Sequence, residues 1–105
     1  MANDYETSRQ TLDAEISKNA DNITALIARG NLALDHYDFS NAFSDAARAF
    51  RLDSNNFQSR LLYARSLINR PTSTENDKIV AQRHFLKLVN EDANNLDAIV
   101  GLKII

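Results

Sequence analysis

Apolar side chains recur along this chain at intervals of three and four residues, and they nowhere alternate long enough to suggest a strand. Leu12 and Ile16 form an i,i+4 pair in a first helix expected over about 5–19, capped by Asn3 or Asp4. A second, over about 23–34, carries Ile23, Leu26, Ile27, Gly30 and Leu34 on overlapping faces. After a turn at 35–39, Phe39, Ala42, Phe43, Ala46, Ala49 and Phe50 mark a third over about 40–52. A fourth, about 57–69, stops ahead of Pro71, whose ring disfavours helical backbone in the residue before it. The segment RPTSTEND is the longest connection and the expected flexible loop. Thr72-x-x-Glu75 and Thr74-x-x-Asp77 are alternative capping boxes for a fifth helix, which carries Ile79, Val80, Phe85, Leu86 and Val89 and ends near Glu91. A sixth opens at Leu96 and still runs at Ile105.

The punctuation between helices also repeats. Ala20-Asp21-Asn22-Ile23, Ser54-Asn55-Asn56-Phe57 and Ala93-Asn94-Asn95-Leu96 each place a small residue and a polar pair ending in Asn before a large apolar one. Asn22 and Asn56 lie 34 residues apart, Asn56 and Asn95 39. A period of that length marks a solenoid, in which each unit buries its apolar face on its neighbour. Gly30 is expected to face Ala42 and Ala46 inside one hairpin, with Ala64 and Ala81 equivalent in the next. Phe39, Phe50, Phe57 and Phe85 would fill between hairpins. The fold class expected is all-α, a tandem of antiparallel helix hairpins with about six helices.

Composition narrows the function classes. With 105 residues the chain can bury one modest core, and 2 Gly with 1 Pro are too few for a loop-rich fold. A net charge of -2 leaves no electrostatic footprint for nucleic acid, and Arg60, Arg65, Arg70, Lys78, Arg83 and Lys87 scatter round their helices. Without cysteine there is no disulfide or thiol chemistry; the compartment stays open, with cytoplasm favoured. No apolar run reaches membrane-spanning length, and MANDYETSRQ lacks the pattern of a signal peptide, although a signal removed earlier stays open. His36 and His84 have no further ligands at metal spacing. Asp13 with Glu15, and Glu91 with Asp92, read as solvated charges, and no phosphate loop or activated nucleophile is present. Asn22-Ile23-Thr24 is a chance sequon at a helix boundary. The expectation is a chain with no cofactor, no metal and no catalysis of its own.

At Leu26, Gly30, Tyr37-Asp38-Phe39, Ala42, Ala46, Ala49 and Leu52-Asp53-Ser54-Asn55-Asn56 the chain resembles the tetratricopeptide repeat (TPR) family, without gaps from 23 to 56. A second repeat, 57–95, fits through Ala64, Leu67, Ala81, Phe85 and Asp92-Ala93-Asn94-Asn95. It departs where Arg60 replaces an apolar residue, where Lys78 replaces an aromatic, and at five inserted residues around Pro71. Residues 5–22 resemble the second helix of a preceding repeat, and 96–105 the first helix of a following one.

The resemblance implies a non-enzymatic module that binds a peptide or helix of a protein partner. First helices line the concave face in that family, which implies groove residues Thr24, Ile27, Asn31, Leu34 and Asp35, then Gln58, Leu61, Arg65, Ile68 and Asn69, then Asp97, Val100 and Ile104. Ile27, Leu34, Leu61 and Ile68 would form an apolar stripe flanked by Asn31, Arg65 and Asn69. The family's carboxylate clamp for chaperone tails is not expected. Asn31 matches its first Asn, but Ile27 stands where its Lys should be and Leu62 where its second Asn should be. The alternative implied is an internal segment of a longer solenoid whose ligand site or catalytic domain lies outside residues 1–105.

The two ends differ. Ser8, Thr11, Leu12 and Glu15 offer a mostly polar face that tolerates water. Leu96, Ile99 and Leu102 can pack on the fifth helix through Phe85, Leu88 and Val89, which leaves Val100, Ile104 and Ile105 open. That apolar remainder leads to an expected symmetric homodimer through the last helix.

Overall fold

In the computed structural model the described residues are 2–104, with side chains from Asp4 to Ile104. They form six helices, α1 (Ala2–Lys18), α2 (Ile23–Asp35), α3 (Phe39–Leu52), α4 (Phe57–Asn69), α5 (Glu75–Glu91) and α6 (Leu96–Ile104), and no strand. The expected all-α tandem of hairpins is what forms, with boundaries shifted by a few residues. The largest shift is at the start. Because α1 begins at Ala2, Asp4 lies in its first turn rather than capping it. The side chain of Asn3, the other expected cap, lies outside the described residues, as does Ile105.

The repeated punctuation is a repeated cap. Asn22, Asn56 and Asn95 each accept on Oδ1 a backbone N–H three residues on, from Ala25, Ser59 and Ala98, at 3.0, 3.1 and 3.0 Å. Each satisfies one donor orphaned at the start of α2, α4 or α6, a contribution of about 1 kcal/mol. Three residues earlier, Asn19, Asp53 and Asp92 accept from the second residue following each, which tightens the turn into the cap. For α5 the choice between two capping boxes falls on Thr74. Its hydroxyl accepts from the Asp77 N–H at 3.1 Å, and Asp77 Oδ2 accepts from the Thr74 N–H at 3.0 Å. Asp77 also holds Arg70 at 2.9 Å, so the connection expected as a flexible loop is a bonded turn.

Small residues decide how closely helices approach, and not only within the expected hairpins. Gly30 makes a close approach to α4 as well as to α3: a Cβ on it would sit 2.6 Å from Leu62 Cδ2 and 3.4 Å from Asp45 Cβ. Gly101 lets α6 cross Phe85, whose ring a Cβ would meet at 2.3 Å. The third residue of each first helix is small and buried, as Ala25, Ser59 and Ala98. One cluster gathers Leu61, Ala64, Leu67, Ala81, Phe85, Leu88 and Ala98; another gathers Ala33, Leu34, Ala42, Ala46 and Leu62. Ile79 and Leu86 of α5 stay about half exposed.

Two charges read as solvated are engaged. Asp13 accepts from Arg29 at 2.9 Å. Glu91 grips Arg60, which replaces an apolar residue in the family pattern and is only 6% exposed. The Arg60 guanidinium bonds Glu91 through both terminal nitrogens, donates to the Asn55 carbonyl and lies over the Phe57 ring. The bond to Arg60 holds the Glu91 carboxyl below the usual carboxylate range.

Candidate partner-binding face

The helices are unequally spaced. Helix α2 lies against α4, and α4 against α6, whereas no Cα atoms of α1, α3 and α5 approach one another within 8 Å among the described residues. The first helices therefore form an inner row. In register, Thr24, Gln58 and Asp97 stand at one level, Ile27, Leu61 and Val100 at the next, and Asn31, Arg65 and Ile104 at a third.

The implied groove residues divide. Thr24, Asp35, Gln58, Asn69, Asp97, Val100 and Ile104 are exposed, and Ile27, Asn31, Arg65 and Ile68 are half-buried. Leu34 and Leu61 are not accessible. At 6% and 4% exposure they belong to the two core clusters, Leu34 with Ala42, Ala46 and Leu62 and Leu61 with Ala81, Phe85, Leu88 and Ala98. The expected apolar stripe is thus reduced to Ile27 and Ile68, with Val100 and Ile104 beyond it. Leu96 is 73% exposed instead of packed on α5, while Val100 at 50% and Ile104 at 66% are as open as expected.

One polar pair joins two inner helices. Arg65 Nη1 donates to Asn31 Oδ1 at 3.3 Å, and Asn69 Nδ2 donates to the Arg65 carbonyl at 2.7 Å. At the expected clamp positions Ile27 is half-buried and Leu62, 1% exposed, is spent filling the space beside Gly30.

A second concavity was not foreseen from the sequence. Between α1 and α3, over α2, lies a cleft of about 190 Å³ lined by Tyr5, Arg9, Asp13, Arg29, Asp38 and Asp45 among others. Arg29 is its keystone. Nε and Nη2 donate to the two oxygens of Asp45 at 2.9 and 2.7 Å, and Nη1 donates to Asp13. The bond to Asp45 raises the Arg29 pKa above its ordinary value. A signal was present: Arg29 lies 34 residues before Tyr63, so a charge occupies the register of an aromatic. Among the described residues no three or more acidic, histidine or cysteine side chains converge as a metal site would need, and no helix is long and apolar enough to cross a membrane.

No family model matches this sequence, and no curated protein matches it significantly. Among solved structures it is similar to the Arabidopsis OM64 TPR domain, at 18% identity and a TM-score of 0.77, over 98% of this chain and 81% of that one. With the capped hairpins, the inner row of first helices and this likeness together, the fold is that of a tetratricopeptide-repeat domain.

Proposed function

We propose that the protein is a non-enzymatic interaction module, an adaptor or scaffold that takes a peptide or helix of a protein partner across the inner face of α2, α4 and α6. The observation that carries this reading is the Asn31–Arg65 bond, a polar bridge between two inner helices flanked by half-buried Ile27 and Ile68. Apolar anchors with a few orienting hydrogen bonds are what helix-in-groove and extended-peptide recognition require. A random peptide library displayed on phage and selected on the full chain tests it. Selected peptides should bind Asn31→Ala and Ile27→Asp more weakly than the unaltered chain, with Asn31→Ala melting normally. Equal binding by both variants would remove the inner face from consideration. Leu61→Asp is no use for this purpose, since Leu61 lies in the core and its loss would report on folding.

A second reading rests on the exposed Leu96, Val100 and Ile104 of α6, which favour a homodimer through that helix. Sedimentation velocity at tens of micromolar, with and without Ile104→Lys, distinguishes the two. A monomer for the unaltered chain rejects the dimer.

A further inference from the structure

Among the described residues every partly covered arginine but one is held by a carboxylate. Arg9 pairs with Glu6, Arg29 with Asp13 and Asp45, Arg48 with Asp21, Arg60 with Glu91, and Arg70 with Asp77. Arg51 and Arg83 stand exposed in water and need none. Arg65 is the exception among the described residues. It is half-buried on α4, and its side chain bonds only the neutral amide of Asn31. A guanidinium carries five N–H donors, and an amide oxygen satisfies one of them without compensating charge. None of its remaining donors is buried without a partner, so the guanidinium stands open to a bound carboxylate, which would add charge-assisted bonds to it.

At the level of Arg65 the implied groove residues, Asn31 and Ile104, are uncharged, and the groove's two carboxylates, Asp35 and Asp97, stand at other levels of the register. Ile27 and Ile68 are half-buried beside it, and on the next inner helix the residue at its own register is Ile104, 66% exposed, with Val100 one turn before it. Within the inner-face reading, on which this step rests, we infer that the occupant is an acidic amphipathic segment of a protein partner. One side-chain carboxylate docks on Arg65, while Asn31 steadies the guanidinium from the opposite side. Apolar side chains of the same segment cover Val100 and Ile104. Adjacent helix axes lie about 8–10 Å apart, and an extended chain rises about 3.3 Å per residue. The acid and the first apolar anchor therefore stand about three residues apart in an extended ligand. No free C-terminus is involved, which separates this mode from a terminal-carboxylate clamp.

The test uses the peptides selected on the full chain, resynthesised with amidated C-termini and with the acidic position as Glu, Gln or Lys. Binding is read by fluorescence anisotropy on the unaltered chain and on Arg65→Gln, Arg65→Lys, Arg65→Glu and Ile104→Asp, each checked for folding by circular dichroism. Selected sequences should be enriched in one acid with Leu, Ile or Val about three residues away. Arg65→Gln should weaken the Glu peptide about tenfold, near 1.4 kcal/mol, and leave the Gln peptide unchanged. Arg65→Lys retains part of the preference, Arg65→Glu transfers it to the Lys peptide, and Ile104→Asp weakens all three peptides. Raising salt should erode the Glu preference alone.

If Arg65→Gln binds Glu and Gln peptides as the unaltered chain does, the inference fails, and loss of binding on Ile27→Asp would still uphold the inner-face reading. Indifference to both changes overturns both. A library that yields no binder overturns the inference. So does a dimer abolished by Ile104→Asp, because a second copy would then be the occupant.

Discussion

Two seams of this molecule solve one packing problem with opposite chemistry. The seam between α1 and α3 crosses α2 at Arg29, and the seam between α3 and α5 crosses α4 at Tyr63, its equivalent in register. Asp45, which receives Arg29, corresponds to His84, just as Ala42 corresponds to Ala81 across the insertion. The first seam is an ion-pair network with a cleft of about 190 Å³ beside it. The second is a stack: the rings of Phe50 and Tyr63 lie parallel at 4.6 Å, and His84 meets both edge-on at 5.4 and 5.8 Å. Guanidinium and carboxylate bind by direction and leave unfilled volume around them, whereas rings fill volume and tolerate several angles. The repeat register thus prescribes that something must bridge the seam, and leaves its chemistry free.

Breaking the ionic seam should have the largest effect. Arg29→Leu restores an apolar residue in the register but strands Asp45, whose side chain is 7% exposed, and about 3 kcal/mol should be lost in urea unfolding. Arg29→Tyr with Asp45→His transplants the second seam into the first. The double variant should be more stable than Arg29→Tyr alone, and additive losses would show that the two seams are not interchangeable.

Removing the ring of the aromatic seam comes next. Tyr63→Ala leaves Phe50 and His84 without the face and edge they pack on and should cost about 2–3 kcal/mol, less than a fully buried aromatic because Tyr63 is only half-buried. Gly30→Leu probes the wall shared by the two repeats. Leu62 already occupies that space, so overpacking should cost about 1–3 kcal/mol. A neutral thermal melt would mean that α2 and α4 are not held together as described.

The smallest effect is in pH and separates the seams. Burial, aided by the charges of Arg60 and Lys87, lowers the His84 pKa below its ordinary 6.5. The unfolded chain then takes up the proton more readily than the folded one. The contribution of neutral His84 is complete above pH 6.5 and is lost as pH falls through that value toward the folded one. Stability should fall slightly from pH 7.5 to 5.5. His84→Phe should flatten that interval, and an unchanged slope in the variant would place the titration elsewhere. The carboxyls of Glu91 and Asp77, held low by Arg60 and by Thr74 with Arg70, act at more acid pH, where their loss adds to unfolding.

How far the chain could be read follows from the range of each interaction. Helix positions, the Asn caps and the hairpin order depend on neighbours within a few residues, so periodicity and a recurring Asn exposed them. Gly30 was recognisable as a place of close approach to α3, but its nearest neighbour, Leu62, comes from α4, a helix of the next repeat that spacing does not place. Leu34 and Leu61 fall in the groove register and proved buried, since they join clusters built from outer as well as inner helices. Arg29 stood in the sequence as a charge at a packing position, but only the fold could bring Asp13 and Asp45 to it from helices sixteen residues away on either side. Local order is set by short-range sterics and hydrogen bonds that the sequence carries in the open. The choice of who meets whom between helices is made by packing of the whole array, and the bond from Arg65 to Asn31 became visible only there.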